Sequence, residues 1–222
     1  MIGYIILLNI IFFLIAHANR IITKTLFRNI NFKTSAERTA SEVLNDFLIE
    51  RDIQVGVHYS YSEPGGEYRV DKKTIHLYKN HENSKNIFHI FIALHEAHHA
   101  YQFQYNKPIS VRFFRIWEYL YYIFNTFIIL VSLYWLYSFL FQVPKVNIFI
   151  EILFTIIYVL YVLGNLYTRY WVERDCNKRT YRLMLENGYF ENKKDRMIIK
   201  YYINIFLKFQ YFCDSCSFMY RV

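Results

Sequence analysis

The chain has 222 residues, 55 % of them hydrophobic and 21 % aromatic, with only 6 Gly and 3 Pro and a formal charge of +8 at pH 7. Its Tyr and Phe crowd into long uncharged runs with Lys and Arg at their ends, which suits helices anchored at an anionic membrane face. No basic stripe interleaved with exposed stacking aromatics is present, which excludes nucleic acid as the expected partner, and scarce Gly and Pro point to long helices.

Met1 to Asn19 carry no charge unless His17 is protonated. As a helix they reach about 28 Å, close to the roughly 30 Å hydrocarbon core. Ala16-His17-Ala18 resembles a signal-peptide cleavage site, yet no positive region precedes the apolar stretch. Arg20, Lys24, Arg28 and Lys33 follow it instead, the pattern of an anchor with its N-terminus outside.

Residues 34–80 read as soluble structure. Thr34-Ser-Ala-Glu37 has the capping-box pattern, opening a helix with Ala40, Val43, Leu44, Phe47 and Leu48 on one face. Ile53, Val55, Val57 and Tyr59 alternate with polar or small residues and predict a strand. Pro64-Gly65-Gly66 predicts a turn, and 73–78 a second strand, expected to offer an extended peptide an edge to pair with. The run at 86–105 predicts an apolar-faced helix too short in its uncharged part to span a bilayer.

Tyr119 to Pro144 contains no charge, and Val146 to Thr168 contains only Glu151. Joined tightly by Gln142-Val-Pro-Lys145, these runs predict a transmembrane hairpin. In the tail, Lys200, Asn204 and Lys208 line up at i, i+4 and i+8 along 198–213, which predicts an amphipathic helix at the interface, with a fourth span as the alternative. Basic residues flank 20–118 and 169–182, whereas Lys145 stands alone on the other side, so both larger segments are expected in the cytoplasm. The expected domains are an anchor at 1–19, a cytoplasmic region at 20–118, the hairpin at 119–168 and a C-terminal region at 169–222.

His95-Glu96-Ala97-His98-His99 matches H-E-x-x-H. On a helix, i and i+4 share a face, so His95 and His99 reach one tetrahedral zinc, while Glu96 projects beside the metal as the base for the attacking water. His98 competes with His99 for the second position, but a His95–His98 pair leaves Glu96 idle. Glu173 is the best third ligand: two crossings return the chain to its starting side, which puts it with the two histidines. Asp175 is the alternative ligand, or a partner that orients a histidine. An ordinary surface pairing of Glu173 with Arg169 or Arg174 is the competing reading. Among the three cysteines, Cys213-Asp-Ser-Cys216 has no second CxxC to complete a four-sulfur site, so ordinary thiols are expected.

His95-Glu-Ala-His-His-Ala-Tyr-Gln102 resembles the H-E-x-G-H-A-x-Q signature of the neutral zinc metallopeptidases of bacterial membranes, the YugP-like family. Glu173-Arg-Asp-Cys-Asn177 resembles that family's E-F-N-A-S element, and the order of anchor, capped helix, strands, motif helix, hairpin and glutamate-bearing helix is similar over nearly the whole chain. The resemblance implies His95 and His99 as zinc ligands, Glu96 as the catalytic residue and Glu173 as the third ligand. His98, Arg174 and Cys176 depart from the family pattern, and Tyr68-Arg-Val-Asp71 lacks its usual histidine.

The expected fold is a mainly α integral membrane protein, with a zincin-like H-E-x-x-H helix, a small β element and a transmembrane hairpin. The expected function is a membrane-bound zinc metalloendopeptidase with one Zn2+, acting on a peptide or protein substrate, membrane proteins among the candidates. Its alternatives are an HtpX-like quality-control protease, a non-catalytic scaffold that keeps zinc for structure, and a haem protein using His89, His95 or His99. The charges around that helix, Lys85 and Glu96, argue against haem.

Overall fold

The structure is a computed structural model that describes residues 2–28, 38–61, 66–105, 109–141, 148–190 and 192–216. In chain order the elements are α1 (Ile2–Arg28), α2 (Ala40–Glu50), β1 (Gly56–Ser60), β2 (Gly66–Arg69), β3 (Thr74–Tyr78), α3 (Ile87–Gln104), α4 (Ile109–Phe141), α5 (Ile148–Glu186), α6 (Lys193–Tyr201) and α7 (Lys208–Cys216). A 3-10 turn covers Lys79–His81, and a π-helical segment covers Tyr202–Leu207. The protein is mainly helical with one small sheet. It divides into two compact units, one of Met1–Thr23, Arg112–Trp171 and Phe206–Val222, the other of Lys24–Val111 and Val172–Ile205.

In the first unit Ile5, Ile128, Phe154 and Tyr161 form a small buried core, with Phe124, Trp135 and Tyr158 packed around it. Gly164 has no side chain because the Trp117 ring occupies the place of a Cβ, and the Trp117 Nε1–H donates to Asn165 Oδ1 at 3.0 Å. Among the described residues two helices are long and apolar enough to cross a membrane, over Tyr122–Phe141 and within Ile148–Glu186. The apolar stretch identified within α1 is shorter, Ile10–Asn19. The expected tight connection Gln142–Lys145 lies outside the described residues.

One boundary differs from expectation. α5 does not stop near Thr168 but runs unbroken to Glu186. The change from apolar to charged sequence alters what surrounds the helix, not its backbone, and no Gly or Pro interrupts the chain between Gly164 and Gly188. It ends where Gly188 takes a positive φ of 66°. There Tyr189 N–H donates to Met184 O and Gly188 N–H to Leu185 O, a Schellman pair that satisfies the last carbonyls.

In the second unit Thr39 caps α2: its hydroxyl accepts from Glu42 N–H, and Glu42 returns the bond to Thr39 N–H at 2.7 Å. The box expected at Thr34–Glu37 lies outside the described residues, but the stripe it was to open is the buried one, Ala40, Val43, Leu44, Phe47 and Leu48. The β element has three strands rather than the expected two, in the order β1-β3-β2. β1 runs parallel to β3, pairing Val57 with Ile75, and β2 runs antiparallel to it, pairing Tyr68 with Ile75. The segment 73–78, expected to offer an edge, is therefore the centre of the sheet, and β1 and β2 are its two edge strands. Gly66-Glu-Tyr-Arg69 is too short, and has too few apolar residues, to announce itself as a strand. α3 opens on Asn86, whose side chain accepts from Phe88 N–H at 2.8 Å, and most of its residues are buried, the whole H-E-x-x-H segment included.

Candidate metal centre

α3 supplies the first two donors. His95 and His99, one turn apart on one face, bring their Nε2 atoms to 3.1 Å. α5 supplies the third: Glu173 Oε2 lies 3.1 Å from His95 Nε2 and 3.3 Å from His99 Nε2. The Glu173 carboxylate faces the two imidazoles. Tetrahedral ligands at about 2.0–2.2 Å from one zinc stand about 3.3–3.6 Å apart, so the three atoms form a triangle within a few tenths of an ångström of that requirement. Two imidazoles and a carboxylate are also a donor set that zinc accepts.

Glu173, Cys176 and Thr180 recur at i, i+3 and i+7, one stripe of α5, and each meets α3. Cys176 S–H donates to His95 O at 2.9 Å. One donor atom each from His95, His99 and Cys176 also lie within 4.8 Å of one another, so the thiol is a second group in reach of a metal held by the histidines. Thr180 Oγ1 stands 3.0 Å from His98 Nδ1, which in turn lies 2.8 Å from Leu94 O. A carbonyl only accepts, so His98 Nδ1 carries the hydrogen. The His98 ring packs against Phe47 at 4.6 Å, and burial lowers its pKa to about 4, so it stays neutral. His98 is engaged with Thr180 and Leu94 and packs on Phe47 of α2, while His99 is the histidine that meets His95 and Glu173.

The orientation of His99 is set from behind. Gln102 Nε2 donates to Asp175 Oδ2 at 2.8 Å and to Val172 O at 3.2 Å, which leaves Gln102 Oε1 to accept from His99 Nδ1–H at 3.2 Å. With Nδ1 protonated, the Nε2 lone pair points at the other donors. Asp175 also accepts from Arg179 Nε at 2.8 Å. Asp175 thus meets His99 through Gln102. Gln102 is the residue that the sequence left without a role; three positions beyond His99 on the same face, it was within reach of that ring.

Electrostatics favour positive charge here. Burial alone would lower His95, but Cys176 in its thiolate form and the Glu173 carboxylate outweigh it and hold His95 up at about 10. The same opposition keeps His99 well above its usual value, while Glu173, which burial would raise, is pulled well below the carboxylate range by the two imidazoles. A pocket that raises two bases and lowers an acid stabilises a cation among them, whether protons or a divalent ion. Glu96 behaves in the opposite way: burial raises it, against the pull of His95 and His99, and the Tyr68 backbone N–H donates to it. A Cβ on Gly66 would fall 2.8 Å from Glu96 Cγ and 2.7 Å from Ile92 Cγ2, so the backbone of β2 passes directly over the carboxylate.

The side chains of Cys213 and Cys216 lie outside what is described, so the CxxC at the end of α7 adds nothing here. Compared with known families, residues 4–202 match the one described as "Putative neutral zinc metallopeptidase". No curated protein and no solved structure matches the chain.

Proposed function

Since the chain belongs to this neutral zinc metallopeptidase family, we propose that it is a membrane-bound zinc endopeptidase whose metal is held by His95, His99 and Glu173 and whose general base is Glu96. The observation that carries the reading is the triangle of donors drawn from two helices with a buried carboxyl beside it. Zinc supplies the Lewis acidity, polarising a peptide carbonyl and making water a nucleophile near neutral pH. The protein's part is positional. Gln102 fixes the His99 tautomer, and Asp175 and Val172 fix Gln102. Glu96 takes a proton from the attacking water at a carboxylate oxygen and delivers it to the departing amine. Burial holds the Glu96 pKa above the usual carboxylate range, toward the value a neutral-pH base needs.

β2, not the 73–78 strand, is the element we assign to the substrate. Its backbone crosses Glu96 at Gly66 and it pairs with β3 on one side only, so an extended peptide added along its outer edge runs past the base. Membrane attachment follows from the two apolar helices and their basic flanks, with Met1–Asn19 as a further span and the metal centre on the cytoplasmic side. In this proposal the substrate is a peptide or protein, a membrane protein among the candidates.

The direct test is metal analysis of the full chain in detergent, for wild type, Glu173→Ala and Cys176→Ala. One zinc per chain is expected in wild type and in Cys176→Ala, with a marked loss in Glu173→Ala. Loss in Cys176→Ala with retention in Glu173→Ala would transfer the third position to the thiol. An impermeant thiol reagent that labels Gly65→Cys from outside intact cells would invert the topology.

A further inference from the structure

Tyr202 is buried in the second unit and has no part in the scheme above. It opens the π-helical segment Tyr202–Leu207, a rare backbone form that concentrates at functional sites. Its ring stands edge-on to Phe88, with centroids 4.6 Å apart, and to Phe91 at 6.2 Å. Phe88, Phe91 and His95 recur at i, i+3 and i+7 on one stripe of α3, and the Phe91 ring is 5.9 Å from that of His95. Aromatic packing therefore lodges Tyr202 on the stripe that carries the first imidazole, about one turn ahead of it.

The phenol end meets charge. Burial first, then the carboxylates of Glu173 and Glu96, raise its pKa far above the usual phenol value. Glu173 belongs to α5 and Glu96 to α3, so a group that senses both lies near the place where the carboxylates of the two helices approach each other. A residue needed only for packing would be served by Phe, without a hydroxyl buried beside two acids. A phenol carries an O–H donor that a phenylalanine lacks.

We propose that Tyr202 is a catalytic residue whose phenol O–H donates a hydrogen bond to the scissile carbonyl oxygen as negative charge develops on it, a role that rests on the peptidase reading. When the water oxygen bonds to the carbonyl carbon, its proton passes to Glu96 and the carbonyl π pair moves onto oxygen. That oxygen is the acceptor Tyr202 serves. On collapse the pair returns, the C–N bond breaks, and the proton on Glu96 goes to the departing nitrogen. Tyr202 exchanges no proton over the cycle; its contribution is a fixed donor in a site shielded from water, an effect typically worth about 10²–10³-fold in rate.

The test uses the zinc-loaded full chain in detergent, wild type against Tyr202→Phe, which keeps the ring on Phe88 and Phe91. Two probes are titrated into the cobalt-substituted forms and followed by the visible spectrum of the metal: an N-phosphoryl-leucyl dipeptide, whose tetrahedral anion matches the adduct, and acetohydroxamate, which binds the metal without that anion. Tyr202→Phe is expected to weaken the phosphoryl dipeptide by about 10²-fold, leave acetohydroxamate and metal content unchanged, and lower casein turnover through kcat rather than KM. Equal affinity of both forms for the phosphoryl dipeptide, or no binding to wild type, overturns the proposal. If Tyr202→Phe melts lower and loses both probes together, the residue is structural and the proposal fails as well. Casein left intact by wild type would sink the peptidase reading, while the phosphoryl arm still decides Tyr202.

Discussion

The two units solve opposite problems. Along α4 and the first half of α5 the large apolar side chains face outward: Leu133 is 57 % exposed and Phe139 69 %. Along α3 polar groups lie inside: Glu96 is 7 % exposed and Gln102 fully buried. An apolar exterior calls for a surrounding that is not water, and a polar interior calls for partners that satisfy it. In the proposed function a lipid surrounding answers the first requirement and a bound cation the second. The contrast is sharp enough to be broken by experiment.

The largest effect comes from placing the same charge in both units. Leu133→Arg sits near the middle of an apolar span, where Arg costs about 2.5–3.5 kcal/mol of insertion. Ile49 is 78 % exposed at the end of α2, where Ile49→Arg changes stability by less than about 0.5 kcal/mol. Carbonate extraction of membranes carrying each variant should release Leu133→Arg and retain Ile49→Arg. Equal retention would remove the lipid from the account.

Next in size is the relay behind the metal. Gln102→Leu leaves His99 Nδ1 and Asp175 without their shared partner, and zinc affinity should fall about 10–100-fold. Competition with a chromophoric chelator measures it; unchanged affinity would show that the ring needs no support from Gln102.

Acid sensitivity comes third, and it belongs to buried histidines away from the metal. Burial lowers His89 to about 4, and burial together with His89 lowers His81 to about 3; the two rings stack at 4.1 Å. The folded values lie below the ordinary 6.5, so the unfolded chain takes up protons first as pH falls. The stabilising contribution is present above about pH 6.5 and is lost on the way down to about 4, amounting to about 1–2 kcal/mol for His89 by pH 5. Thermal melts from pH 7 to 5 should show this slope, and His89→Gln should reduce it, with His81 and His98 carrying the rest. A slope left undiminished by the substitution would place the acid lability elsewhere. The smallest effect is Thr39→Ala, which removes the cap of α2 and should cost about 1 kcal/mol in chemical denaturation. No measurable change would mean that the ties from Ala40 N–H to Ser84 O and from Ser41 N–H to Glu82 O hold the helix start unaided.

What could be read in advance follows the same division. Periodicity exposed the stripe of α2, the apolar runs and the i, i+4 histidines, because each is a local repeat. The partners of those repeats were less legible. Whether His98 or His99 completes the pair depends on Thr180 and Phe47, which lie far away in sequence. The strand β2 escaped notice because its four residues are defined by pairing with β3 rather than by their own pattern. Thr168 looked like an end because charge begins there, yet charge changes the surroundings of a helix and not its hydrogen bonds. Tyr202 lay inside a run of Tyr and Ile with no sign of which ring would turn inward.

The central claim is that Glu96 moves protons beside a metal it does not hold. Turnover of casein at equal zinc content, wild type against Glu96→Gln, tests it most directly. Glu96→Gln keeps the size of the side chain and leaves His95, His99 and Glu173 in place. The account expects full zinc occupancy with turnover lower by about 10²–10⁴-fold or more. Glu96→Gln that retains zinc and cleaves casein as fast as wild type would contradict it.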